Sequence, residues 1–293
     1  MKPFLGEQSV SRRRTRRWKS LRLRIRHHLR ARLSRELKPD KWVFIVGCYN
    51  SGTTLLTNLL DAHPAMRALP REGVELTDAL GRPEDLGWPR MWSQCEDYLG
   101  IEPGNAAMRA RRIKKQWAPY APNASIVVEK SISNATRLEF LNEHFNPAYF
   151  IYLIRDGYAV AEGIQRRARP HDWGNSTFAK YPLEMCAAQW ALSDAYFRRD
   201  SHLLAHVLEL RYEDLVQAPQ VSLDQIAGFL SLPAFPSDLA TRTWKIHRAS
   251  SQIRNMNPDA IQRLSSDGLD AIESVAQATL RSHGYQRPTF DVQ

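Results

Sequence analysis

The sequence predicts an α/β protein, a P-loop-like central parallel sheet flanked by helices, with a basic helical arm ahead of it. Three observations carry that prediction. Short apolar runs alternate with stretches of helical periodicity, the pattern of parallel strands joined by crossover helices. The first run, Trp42–Gly47, ends in glycine and leads through NSGTT (Asn50–Thr54) into a helix, the layout of a phosphate-binding loop. The basic residues are also segregated. Residues 1–41 hold 15 Lys/Arg against 3 Asp/Glu, a net of +12, and the remainder holds 26 against 28.

In the arm, Trp18, Leu21, Ile25, Leu29, Leu33 and Leu37 recur at spacings of three and four, one apolar stripe ringed by Arg and Lys. Pro39 and Asp40 end that helix. The division is therefore an amphipathic arm, 1–40, and a single α/β domain, 41–293. Three roles stay open for the stripe: docking on the body, lying on an anionic membrane surface through residues 12–38, or touching a polyanion. The body is nearly neutral, so a pI of 9.7 does not imply a nucleic-acid-binding fold, and no specific nucleic-acid partner is expected.

Within the body, Trp42–Gly47 reads as a buried strand and Thr53–His63 as the helix behind the loop. Residues 68–80 read as loop then helix, and residues 81–124 as short helices in an insertion-like cap. Ser125–Glu129 is a second strand, and Ser133 is placed to cap a helix over Asn134–His144. Ala148–Arg155 is a third strand, followed by helices over 156–168 and 185–199. Val207–Tyr212 is a fourth strand, with a helix over 221–232 behind it.

Composition sets the outer bounds. A hydrophobic share of 43%, with ten Phe, ten Tyr and eight Trp, suffices for a core. Three cysteines, Cys48, Cys95 and Cys186, do not make a disulfide framework and point to a reducing compartment. No apolar run approaches the ~20 residues that span a bilayer, and the first residues lack the apolar core of a secretory signal. A cytoplasmic location is expected, at the inner membrane surface if the arm binds lipid. The sequons at Asn123, Asn134 and Asn175 then carry no meaning.

The nucleoside-triphosphate loop reads G-x-x-x-x-G-K-[ST]. Gly47, Gly52 and Thr54 keep that spacing, but Thr53 stands where the lysine would be. Backbone N–H groups and the helix start can still cradle a phosphate. The cation that reaches a γ-phosphate is missing, which argues against a kinase or NTPase. A tight glycine turn with a Ser/Thr cap is the plain alternative.

The stretch SGTTL (Ser51–Leu55), continued by LLDAHP (Leu59–Pro64), resembles the phosphosulfate loop of the PAPS-dependent sulfotransferases. YLIRDGYAVAEG, LRYEDLVQAP and IAGFLSLP resemble that family's later elements, in the same order, over roughly residues 42–235. SSQIRNMN, near the C-terminus, is more weakly similar to a segment closing over the nucleotide. The resemblance, to bacterial members akin to tyrosylprotein and carbohydrate sulfotransferases, implies the sulfotransferase fold. It also implies transfer of a sulfuryl group from 3′-phosphoadenosine-5′-phosphosulfate (PAPS) to an acceptor hydroxyl, with PAP as product and no metal. The acceptor expected is a carbohydrate or glycolipid, with the Trp-rich Leu86–Leu99 as its wall. The oligomeric state is not legible.

The resemblance also assigns residues. Asn50, Ser51, Gly52, Thr53 and Thr54 would hold the phosphosulfate. Arg155, the Gly163 position, Arg167, Ser251 and Arg254 would hold the 3′-phosphate, and Tyr212 would contact the nucleotide or order its strand end. Glu72 is the expected base, with Glu75 its neighbour, and Lys130 the cation on the bridging oxygen. His63 is read as structural and Cys48 as inert. Two positions depart from the family pattern: Asn50 replaces a loop Lys or Arg, and Gly163 replaces a serine. Asn50 is kept among the catalytic candidates, and a catalytically silent PAPS/PAP-binding protein is the alternative function.

Overall fold

The computed structural model describes residues 34–246 and 249–289. Five strands form one parallel sheet: β1 (Lys41–Gly47), β2 (Met66–Ala68), β3 (Ile126–Lys130), β4 (Ala148–Ile154) and β5 (Val207–Arg211), in the order β2-β3-β1-β4-β5. β1 lies between β3 and β4, with Phe44 opposite Glu129 on one side and Phe150 on the other. Chain direction across the sheet reverses at β1, so the crevice beyond the carboxyl ends of β1, β3 and β4 is the place where such sheets take ligands.

Alternation along β1 explains the layers. Trp42, Phe44 and Val46 face one core with Trp117, Phe145 and Phe150, while Val43 and Ile45 face another with Leu56, Leu59 and Leu223. The helices that cover these faces are α1 (Thr53–Asp61), α2 (Ala106–Trp117), α3 (Leu138–His144), α4 (Gly157–Ala168), α5 (Leu183–Asp200), α6 (Tyr212–Gln217) and α7 (Pro219–Leu230). A hairpin of β6 (Trp244–Ile246) and β7 (Ala249–Ser251) follows, then α8 (Asn257–Ile261) and α9 (Ser266–Ser282).

Several expectations shift. Residues 68–80 contain no α-helix, only a short 3-10 turn at Gly73–Glu75, because backbone donors there turn to Glu129 and Ser131. The helix expected from Asn134 starts at Leu138. Ile132–Thr136 is a 3-10 turn, and buried Arg137 takes the carbonyl and hydroxyl oxygens of Ser133 that would have served a cap. β2 and α9 were not foreseen.

Most of the arm lies outside the described residues. Residues 34–40 carry no helix, so the expected helix does not reach Leu37. Leu37 is nevertheless buried, and its N–H donates to the Lys114 carbonyl at 3.3 Å. Among the described residues, no helix is long and apolar enough to cross a membrane.

Candidate active site

The loop between β1 and α1 makes two turns through the left-handed region, Asn50 at φ 63° and Gly52 at φ 90°. At Gly52 a side chain is excluded, because a Cβ would fall 2.5 Å from the Tyr212 ring. α1 starts there without a side-chain cap, so its first N–H groups face the cleft and favour an anion.

Asn50, Gly52, Thr53 and Thr54 line a single cleft with Glu72, Lys130, Arg155, Gly163, Arg167, Tyr212, Ser251 and Arg254. Of the residues expected at the site, Ser51 alone is turned inward. Its N–H donates to the Cys48 carbonyl at 3.3 Å, and its hydroxyl is buried without a partner. The Gly163 and Asn50 departures meet in space: a Cβ on Gly163 would stand 3.0 Å from Cβ and Cγ of Asn50.

Arg155, at the end of β4, is buried and rigidly held. Its Nε donates to Asn257 Oδ1 at 2.7 Å, its Nη1 to the Asn50 carbonyl at 2.6 Å, and its guanidinium lies 4.2 Å from the Tyr212 ring centre. Asn257 is fixed in turn by Glu213, which also accepts from the Asp156 N–H. Tyr212 ties down the 254–256 segment, donating to the Arg254 carbonyl and accepting from the Met256 N–H. Arg166 and Arg263 both pair with buried Glu162 at 2.7 Å, and Arg254 pairs with Asp259 at 2.7 Å. Arg167 forms no ion pair among the described residues. Burial, together with Arg166, Arg90 and Arg155, pulls its pKa below the ordinary arginine value. Converging guanidinium groups of this kind form an anion site.

Across the cleft, Lys130 at the end of β3 donates to Glu72 Oε1 at 2.7 Å. The expected base and the expected cation are thus partners. A buried carboxylate beneath them sets the Glu72 loop: Glu129 accepts from the Gly73 N–H at 2.8 Å, from Asn134 Nδ2 at 2.5 Å and from the Ser131 hydroxyl. Burial pushes its pKa up. The Trp117 indole N–H closes the other side of the loop on the Gly73 carbonyl at 3.0 Å.

His63 is structural, as expected. It is buried, Nδ1 accepts from the Ala65 N–H, Nε2 donates to the Pro233 carbonyl at 3.1 Å, and the ring packs on Phe235. Burial pushes the Cys48 thiol up to about 12, which leaves it unreactive. The two tryptophans of the Leu86–Leu99 segment differ in exposure, Trp92 buried and Trp88 half-buried. Met91 and Trp92 are fully buried in the core, Trp88 stacks on Tyr181, and the residue of this segment that lines the cleft is Arg90.

Sequence reasoning missed Arg90, Glu129, Glu162, Glu213 and Asn257. Signals existed for two of them, since Glu213 lies inside LRYEDL and Asn257 inside SSQIRNMN.

Asp156 caps α4, accepting from the Tyr158 N–H at 2.8 Å, and burial raises its carboxyl to about 6 from 3.8. Between those values the folded chain keeps a proton that the unfolded chain releases. The stabilisation is therefore complete below about pH 4 and is lost as pH rises through about 6. Asn caps a helix as well as Asp does. Asp156→Asn is thus expected to gain up to ~3 kcal/mol over wild type between pH 4 and 7. Urea midpoints across that range check this, and identical pH profiles would refute it.

The profile of the Sulfotransferase family matches residues 43–237. The protein-tyrosine sulfotransferase 1 of Danio rerio is 28% identical over 206 residues, covering 65% of this chain and 53% of that protein. The protein-tyrosine sulfotransferase A of Caenorhabditis elegans is 26% identical over 207 residues, 67% of this chain and 51% of that protein. The chain thus spans about half the length of these curated relatives. Among solved structures, sulfotransferase STF9 from Mycobacterium avium superposes with a TM-score of 0.55 at 16% identity, over 91% of this chain and 80% of that one. The sulfotransferase domain of the Synechococcus PCC 7002 olefin synthase gives 0.52 at 18% identity, over 86% and 97%. These structural matches establish the fold, and the profile match over about two thirds of the sequence establishes that this chain belongs to the sulfotransferase family.

Proposed function

We propose that the chain transfers a sulfuryl group from PAPS to an acceptor hydroxyl. The observation that carries this reading is the single cleft in which an uncapped helix start, the Arg155–Arg167 pair and the Lys130–Glu72 pair face one another. A donor with two anionic ends needs two separated anion sites, and a hydroxyl acceptor needs a base between them.

The backbone N–H groups of Gly52–Leu55 and the Thr53 and Thr54 hydroxyls would hold the 5′-phosphosulfate, and Arg155 with Arg167 the 3′-phosphate. Tyr212 would keep both halves in register by packing on Gly52 and Arg155. Ser251 and Arg254 bring the C-terminal segment to the rim.

Glu72 would take the proton of the acceptor hydroxyl as its oxygen bonds to sulfur. Lys130 would leave Glu72 and neutralise the bridging oxygen as the sulfur–oxygen bond to the 5′-phosphate breaks, giving the sulfate ester and PAP. The flexible lysine stem suits that exchange. Positioning and charge stabilisation supply most of such a rate. The cations that line the cleft are the charges this reading uses, and no metal is proposed.

The acceptor is proposed as a hydroxyl without further restriction. For a sugar or glycolipid, Trp92 is unavailable because it lies in the core, and half-buried Trp88 is the tryptophan of this segment left to meet a ring. Relatives described as acting on protein tyrosine make a tyrosyl peptide the first acceptor to screen, with glycans beside it.

Thermal stabilisation by PAP tests the donor reading. At 100 times its Kd a ligand adds ~2.7 kcal/mol. Wild type is expected to shift upward with PAP and not with ATP·Mg²⁺, and Arg155→Ala to lose most of the shift. An equal response to ATP·Mg²⁺, or none to PAP, would refute it. PAP binding without transfer to any acceptor would favour a silent binding protein.

A further inference from the structure

We propose that Arg90 is the cation of the phosphosulfate loop in this chain, that Asn50 positions it, and that it neutralises the 5′-end of the donor. This rests on the nucleotide reading above. A loop Lys or Arg is absent because Asn50 stands in its place, and Arg90 restores the charge from a segment forty residues away in sequence.

Its Nη1 donates to Asn50 Oδ1 at 3.3 Å, and both residues line the cleft with Glu72 and Lys130. Arg90 also adopts a backbone conformation that its side chain disfavours, φ 61°, matching Asn50 at φ 63°. Non-glycine residues held in this region collect at ligand clamps, where the surroundings over-determine them. The surroundings do so here. Met91 and Trp92 on its C-terminal side are fully buried, and the Met91 N–H donates to the Trp88 carbonyl at 3.1 Å.

The charge is uncommitted. Arg166, Arg254 and Arg263 in the same cleft each hold a carboxylate, whereas Arg90 forms no ion pair among the described residues. Arg90 and Arg167 line the same cleft, and Arg90 is one of the charges that lower the Arg167 pKa. Asn50 fits the positioning role. Its oxygen takes Arg90, while its Nδ2 is buried with no partner of its own.

Titration calorimetry with PAP and with 3′-AMP, which lacks the 5′-phosphate, tests the assignment on the full chain. Arg90→Gln is expected to bind PAP about 10- to 100-fold more weakly, the loss of one charge-assisted contact, and 3′-AMP within about twofold of wild type. Asn50→Lys added to Arg90→Gln is expected to recover most of the PAP affinity. An unchanged melting temperature without ligand shows that Arg90→Gln is folded; if it is not, Arg90→Lys replaces it, with a smaller loss of the same selectivity.

PAP affinity unchanged in the variant overturns the proposal. So does an equal loss for PAP and 3′-AMP, which marks a fold residue. A selective loss that Asn50→Lys does not rescue keeps the contact and overturns the shared position. Wild type that binds neither nucleotide overturns the donor reading, and the assignment with it.

Discussion

Glu72→Gln and Lys130→Ala are each expected to lower the transfer rate by ~10²–10⁴ while leaving PAP affinity within about tenfold of wild type. Gln keeps the shape of Glu72 but cannot take a proton. In the proposed mechanism, Ala removes the cation that would meet charge on the departing oxygen. The two side chains touch at 2.7 Å, so their effects should not multiply. The double variant is expected to fall short of the product of the single losses by at least tenfold, as residues acting as a unit do. Single-turnover transfer from labelled PAPS, with PAP titrations alongside, separates rate from binding. A Glu72→Gln enzyme near full rate would move the base elsewhere. Glu75 is the nearest alternative, and it faces Arg71 at 3.6 Å on the exposed side of the loop.

Glu129→Ala is expected to damage stability and rate together, although Glu129 makes no contact with the cleft. Its carboxylate is 1% exposed and gathers three donors, from Gly73, Ser131 and Asn134. Removing it strands those donors in the core. Each unsatisfied buried group costs ~1–3 kcal/mol, so a total loss of ~3–5 kcal/mol follows. At this chain length that lowers Tm by about 6–15 °C. The Gly73 N–H also loses the anchor that holds Glu72 against Lys130, so kcat should drop in the folded fraction with little change in PAP affinity. A variant that melts early yet transfers at full rate per folded molecule would separate the two roles.

The sheet was readable because its strands are apolar on both faces: Trp42–Gly47 and Ala148–Ile154 need no partner to be recognised. β2 was not, since three residues, Met66–Ala68, carry too little pattern and pair only with β3 at the sheet edge. α9 has a legible stripe in Leu269, Ile272, Ala276 and Leu280, but no motif drew attention to it.

The same division holds at the site. Residues on strand ends, Lys130 and Arg155, follow from the strand assignments, because a parallel sheet delivers such ends to one edge. Arg137 and Arg90 depend on contacts that sequence spacing does not encode. Arg137 turns back on Ser133 and delays α3, and Arg90 enters the cleft only because Met91 and Trp92 anchor its loop in the core. Of the aromatic residues around Arg90 that suggest a binding wall, Trp92 is taken up by core packing, while Trp88 stays half-buried.

The contact between Gly163 and Asn50 constrains how this chain can change. Serine at 163 on its own brings a Cβ within 3.0 Å of the Asn50 side chain, close to its backbone where little can yield. A lysine at 50 on its own would compete with Arg90 for one place. The two positions are therefore expected to be coupled: a larger side chain at 163 needs the Cβ and Cγ of residue 50 to shift, and residue 50 also holds Arg90. Engineering toward a more typical member should treat residues 50, 90 and 163 as one packed unit rather than three independent sites.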